Sequence, residues 1–147
     1  MAKVIAGFGE LSVILAQLEG HSVKAVNDGM QGVMAEVQKE AIANAPVDKG
    51  NLEHAIKLRN LGQRRGWEVY VDGDEPDDTG NWTVGDYAGQ MHEGVYNLGP
   101  LSLEKQQQNG HIVGRKFLER AMDAKAEDVV DELNTKLMEA LNARYGR

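Results

Sequence analysis

The sequence contains no cysteine, so the chain has no disulfide framework, no thiolate metal site and no cysteine nucleophile. Aromatic residues make up only 5% of it, which leaves Trp67 and Trp82 as the largest apolar groups available to a core or an interface. No apolar run approaches the roughly 20 residues needed to span a bilayer. Met1-Ala2-Lys3 leads into Val4-Ile5-Ala6-Gly7, too short for a signal-peptide core, so the chain is expected to be soluble, unexported and without a membrane partner. Positive charge is in the minority: 16 Lys and Arg stand against 23 Asp and Glu, a net charge of −7. That balance argues against gripping nucleic acid by neutralising phosphates. It does not bar DNA from passing nearby, because a channel that lets DNA slide is better lined with charges that do not hold it. With 147 residues, 41% of them apolar and 27% charged, the chain fits a single globular domain large enough for a real core.

The segment Ala43-Asn44-Ala45-Pro46-Val47-Asp48-Lys49-Gly50-Asn51-Leu52 organises what surrounds it. Pro46 cannot continue a helix and pushes Ala45 toward extended geometry, so a helix running up to Asn44 must stop there. Asp48 suits a turn or a new N-cap, accepting from the backbone N–H of Asn51, and Gly50 supplies conformational freedom. Upstream, Val23, Val26, Met30, Val33 and Val37 recur at intervals of three and four, which predicts a helix over 22–44. Gly29 and Gly32 inside it either weaken the helix or mark close packing against a neighbour.

Beyond Leu52 the period changes. Ala55, Ile56 and Leu58, a polar break at Gly62-Gln63-Arg64-Arg65-Gly66, and then Trp67, Val69 and Val71 predict a β-hairpin with Trp67 on its buried face. A third strand is expected over 86–93, and a long last helix over 117–145 carrying Leu118, Met122, Val129, Val130, Leu133, Leu137 and Leu141. The fold class is therefore α+β: two long helices flanking a small antiparallel sheet in one domain, 1–147. Two long polar loops, at about 72–85 and 97–114, are expected to be functional or disordered.

Several chemistries lack support. The acidic loop Asp72-Gly73-Asp74-Glu75-Pro76-Asp77-Asp78 departs from a calcium-loop register, with Asp77 where glycine is needed and Thr83 where the closing glutamate belongs. It reads as a solvated, mobile acidic loop, with an adventitious or structural cation as the lesser alternative. His92-Glu93 has Tyr96 where a zinc protease needs its second histidine, and His21, His54, His92 and His111 are scattered. Ser12, Ser22 and Ser102 are read as belonging to neither a nucleophile elbow nor an S-x-x-K arrangement, and no acyl transfer is expected of them. No catalytic residue, cofactor or metal is expected. The basic pair Arg64-Arg65 at the hairpin tip either touches DNA or an acidic partner, or is a solubilising turn that guards a sheet edge. Trp82 is placed on a loop that docks on a neighbour.

Four landmarks, taken in order, resemble a family of tailed-bacteriophage structural proteins known as tail-component or neck proteins. Val4-Ile5-Ala6-Gly7-Phe8-Gly9-Glu10-Leu11, with Leu15 and Leu18, is similar to the family's opening helix. Pro46, Asp48, Gly50 and Leu52 match its A-P-V-D-T-G-x-L signature, with Lys49 in place of threonine. Tyr87-Ala88 with His92-Glu93-Gly94 resembles its tyrosine-alanine and glutamate-glycine strand. Phe117 and Leu118, preceded by Arg115-Lys116 in place of Gln-Pro, resemble the start of its last helix. The resemblance implies a non-enzymatic virion protein, assembled in the host bacterial cytoplasm. It implies a homo-oligomeric ring at the head–tail junction or the proximal end of the tail, in contact with adjacent connector or tail proteins, with DNA passing through without tight binding. The alternatives are a nucleic-acid-binding accessory protein, resting on Arg64-Arg65 and Arg115-Lys116, and a small acidic regulatory module.

Overall fold

A stripe of apolar residues recurring every three or four positions must be buried along its whole length, and in this chain two helices bury theirs against each other. The computed structural model describes residues 20–62 and 65–146. Helix α1 (Gly20–Asn44) turns Val23, Val26, Met30, Met34, Val37 and Ala41 inward. Met34 holds the stripe position that Val33, only half-buried, was expected to hold. Short helix α2 (Asn51–Ala55) leads directly into strand β1 (Ile56–Asn60), which pairs antiparallel with β2 (Trp67–Val71). Helices α3 (Gly85–Glu93) and α4 (Pro100–Asn109) follow, and α5 (Phe117–Tyr145) returns along α1 in the most extensive packing of the fold. This is the α+β arrangement of two long helices flanking a two-stranded sheet.

In the hairpin, Ile56 pairs with Val71, Leu58 with Val69 and Asn60 with Trp67, which puts the apolar members on one face against the core. The opposite face carries the Arg59–Glu68 ion pair at 2.7 Å, with the guanidinium 4.2 Å from the Tyr70 ring centre. Two hydrogen bonds fix the direction of the hairpin along α1. Gln38 Nε2 donates to Ile56 O at 2.9 Å, and Trp67 Nε1 donates to Asn27 O at 2.8 Å. The base of the hairpin therefore lies near the C-terminal half of α1 and its tip near the N-terminal end. Trp67 is half-buried on the core face. Of the two helical glycines, Gly29 lies so close to α5 that a Cβ there would meet the Lys136 stem at 2.6 Å, whereas Gly32 faces open space.

Two expectations are corrected. The expected strand over 86–93 is helix α3. Val84 and Ala88 are buried and Tyr87 and Met91 half-buried, a helical spacing that an alternating reading splits between two faces. Asp86 Oδ2 also accepts from the backbone N–H and hydroxyl of Thr83 at 2.7 and 3.1 Å, which ties the residue ahead of the helix to its first turn. The expected polar loop at 97–114 contains α4, with Pro100 at its start and Gly110, left-handed at φ 69°, at its end. That is the usual punctuation of a helix. The loop at 72–85 does lack a long element, but it is not merely solvated. Lys57 Nζ binds Asp72 at 2.9 Å and Glu75 at 2.5 Å, and Asp77 accepts from the N–H and hydroxyl of Thr79 at 3.0 and 2.8 Å. No described helix is long and apolar enough to cross a membrane.

Candidate functional site

The turn after α1 is held by groups from two other helices. Pro46 is buried. Next to it the Ser102 hydroxyl, 2% exposed, accepts from Val47 N at 2.8 Å and donates to Val47 O at 2.9 Å. A helix end leaves its last carbonyls without intrahelical partners, and here cations supply them. The Lys105 ammonium binds Ile42 O at 2.5 Å, Ala45 O at 2.7 Å and the Glu53 carboxylate. The backbone N–H of Gly114 and the Arg120 guanidinium both reach Asn44 O. Arg120 also binds Gly114 O, Arg115 O and Ile112 O, and its desolvation pushes its pKa down. Positive groups at the negative end of a helix also answer its dipole.

Ser102-Leu103-Glu104-Lys105 does have the S-x-x-K spacing, contrary to the expectation for Ser102. Both side chains are engaged with α1 and its turn, so the spacing serves helix docking. Asp48 does not cap α2. The residue before that helix is Gly50, left-handed at φ 89°, with no side-chain cap, while Asp48 is exposed. Only glycine reaches φ 89° without strain there. Leu52 is 5% exposed and joins the core.

The other landmarks meet at the start of α5. Lys116 adopts φ 59° and donates its backbone N–H to His92 O at 2.7 Å. Its ammonium binds Glu93 at 2.6 Å and Glu119 at 3.2 Å. The hydrogen bond from Lys116, and after it the one from His92, holds the Glu93 carboxyl down at about 2, and Glu93 raises Lys116 in return. The His92 ring meets Phe117 edge-on at 4.9 Å, and its Nε2 is buried without a partner. Phe117 is fully buried and Leu118 half-buried against the same core. Gly94 closes α3, where a Cβ would lie 2.5 Å from Gln90 O. Thus the end of α3 at Glu93 and the start of α5 at Phe117 are joined through Lys116 and His92, and Tyr87 and Met91 on α3 share a cleft with the Pro46 turn.

Between that turn and the α3–α4 connection lies an open cleft of ≈ 660 Å³. Tyr87, Met91, Tyr96 and Leu98 supply its apolar surface, and its charged lining residues are Asp48, Asp77, Asp78 and Lys49. Lys49 binds Asp78 at 2.8 Å and holds that carboxyl below its ordinary range. Burial first, and then Asp77, Asp78 and Asp48, raise the Tyr87 phenol. Arg65 stands exposed at the hairpin tip, far from the cleft, and Arg64 lies outside the described residues. Trp82 is 62% exposed on the acidic loop. Among the described residues no group of three or more His, Cys, Asp and Glu could hold a metal ion.

Ser102, Lys105 and Arg120 escaped the sequence reading because the backbone groups they hold at the end of α1 and its turn lie 55 to 76 residues away. The one local signal was a serine and a lysine three apart on an otherwise polar helix.

Comparison with models of known protein families matches residues 13–88 to the family described as "Bacteriophage HK97-gp10, putative tail-component". No curated protein and no solved structure gives a match. The family match takes in α1, the Pro46 turn, the hairpin, the acidic loop and the first residues of α3, which is more than half of the chain. The opening landmark at 4–18 lies outside the described residues. A match of that extent decides the family: the chain belongs to the HK97-gp10-like tail components of bacteriophages.

Proposed function

We propose that this tail component is a non-enzymatic virion subunit whose copies close into a ring at the head–tail junction or the proximal end of the tail. Adjacent connector or tail proteins are its partners, the host bacterial cytoplasm is where it assembles, and DNA passes through the ring without being gripped. The observation that carries the reading is the family match over 13–88. The net charge of −7 supports the last part, since a surface short of positive charge releases few counterions from DNA. Association by a head-to-tail interface that closes on rotation gives such a ring.

Native mass spectrometry of the purified chain, alone and with co-expressed neighbouring structural proteins, tests the assembly. A closed multimer is expected in at least one of the two samples, and a monomer in both overturns the ring. An anisotropy titration with duplex DNA tests the channel. Affinity no tighter than the non-specific range of roughly 10⁻⁴–10⁻⁶ M at physiological salt is expected. Tight binding that falls steeply with salt would favour a nucleic-acid-binding accessory protein instead.

A further inference from the structure

The cleft beside the Pro46 turn and the tip of the β-hairpin are complementary in chemistry and lie at opposite ends of the molecule. Three carboxylates and one ammonium line the cleft, and Lys49 is already bound to Asp78. Asp48 remains exposed at its edge and, having no capping duty, is turned to solvent. Carboxylates beside tyrosine faces are what an arginine side chain recognises, through charge-assisted hydrogen bonds and contact of the guanidinium with a ring. The volume is within the roughly 300–1,000 Å³ that binding clefts commonly enclose.

The hairpin tip supplies such a group. The turn is closed by Leu61 N donating to Gly66 O at 2.8 Å and Gly66 N to Gly62 O at 3.0 Å, with Gly62 and Gly66 both at positive φ. Arg65 sits on that turn, exposed, and among the described residues no carboxylate pairs with it. A chain cannot bring its own tip to its own cleft. Trp67, at the tip end of the ladder, is bonded to Asn27, whereas the cleft begins at Pro46, beyond the other end of α1. At 1.5 Å per residue the separation is about 25 Å. Contact between the two surfaces therefore joins different copies, and because the surfaces differ it is head-to-tail.

We propose that the hairpin tip of one copy docks in the cleft of the next, with Arg65 on the tyrosine-lined surface and paired with Asp48. The interface rests on the ring reading and specifies its contact. The test is a charge-reversal cycle read by native mass spectrometry and sedimentation, using Arg65→Glu, Asp48→Lys and the double variant. Each single change should weaken association by about tenfold and the double should recover most of it. Both positions are exposed, so the melting temperature should stay within the wild-type range. As a second readout, separately purified Arg65→Cys and Asp48→Cys proteins are mixed and oxidised. With no natural cysteine in the chain, the mixed disulfide should be the dominant product.

If the wild type forms a multimer that neither reversal weakens, and oxidation gives no mixed disulfide, the interface is refuted while the ring stands. If the wild type is monomeric under every condition, both fall. Capture of the Asp48→Cys thiol only by a co-expressed neighbouring virion protein would assign the cleft to that protein and overturn the proposal.

Discussion

Phe117 and Leu118 are adjacent in sequence and equally apolar, yet the structure gives them different weights, and that difference can be measured. Phe117 is 0% exposed and meets the His92 ring at 4.9 Å with an 82° interplanar angle. Truncating such a residue removes its transfer free energy and leaves a cavity the surrounding helices cannot fill, so Phe117→Ala should cost about 3–5 kcal/mol. Leu118 is only half-buried, and water can occupy part of the space its side chain vacates. About 1–2.5 kcal/mol is expected for Leu118→Ala, roughly half the range for a fully buried leucine. Urea denaturation followed by circular dichroism reads both. With a slope of about 2 kcal/mol per molar, the midpoint should fall by about 2 M for Phe117→Ala and about 0.5–1 M for Leu118→Ala, at unchanged slope. In thermal melts the same ordering should appear at about 2–4 °C per kcal/mol. Equal losses, or a Phe117→Ala loss below about 1 kcal/mol, would refute the view that the phenyl ring is what seats α5 on the α1 and sheet core.

Ser102→Ala should destabilise by about 1–3 kcal/mol, because it leaves both the N–H and the carbonyl of Val47 without their partner in a half-buried turn. A change within experimental error in the same urea assay would mean that water replaces the hydroxyl freely. The pH dependence of Glu93 has a definite sign. Its folded-state pKa of about 2 lies below the ordinary 4.5, so its contribution is fully present above about 4.5 and is lost as pH falls toward 2. The stability difference between wild type and Glu93→Gln should therefore be positive near pH 6 and shrink to nothing near pH 2. It will be small, since the side chain is 60% exposed and screened by solvent. A difference that is flat across that window would show that the Lys116 and His92 contacts are not made in solution.

Sequence periodicity determined the large parts of this fold. An apolar residue every three or four positions over 22–44 and 117–145 can be buried only as a helix stripe, and alternation on either side of a glycine-flanked break can be buried only as a hairpin. Pro46 determined where α1 stops, because a missing N–H and a fixed φ act locally whatever surrounds them. The composition, the net charge and the order of short landmarks led to the family that the match over 13–88 then gave.

Tertiary structure alone decided the rest. Helix α3 reads as either period over nine residues, and burial of Val84 and Ala88 chose the helix. Helix α4 has almost no apolar face of its own, and Ser102 and Lys105 dock it through polar groups at the end of α1. Asp48 had the composition of a cap, but Gly50 took the position before α2 and left that carboxylate on the rim of a cleft. Periodicity records which side of an element meets apolar surroundings. It carries no record of which distant carbonyl a lysine will find, because hydrogen bonds spanning 55 to 76 residues exist only once the elements between them have packed.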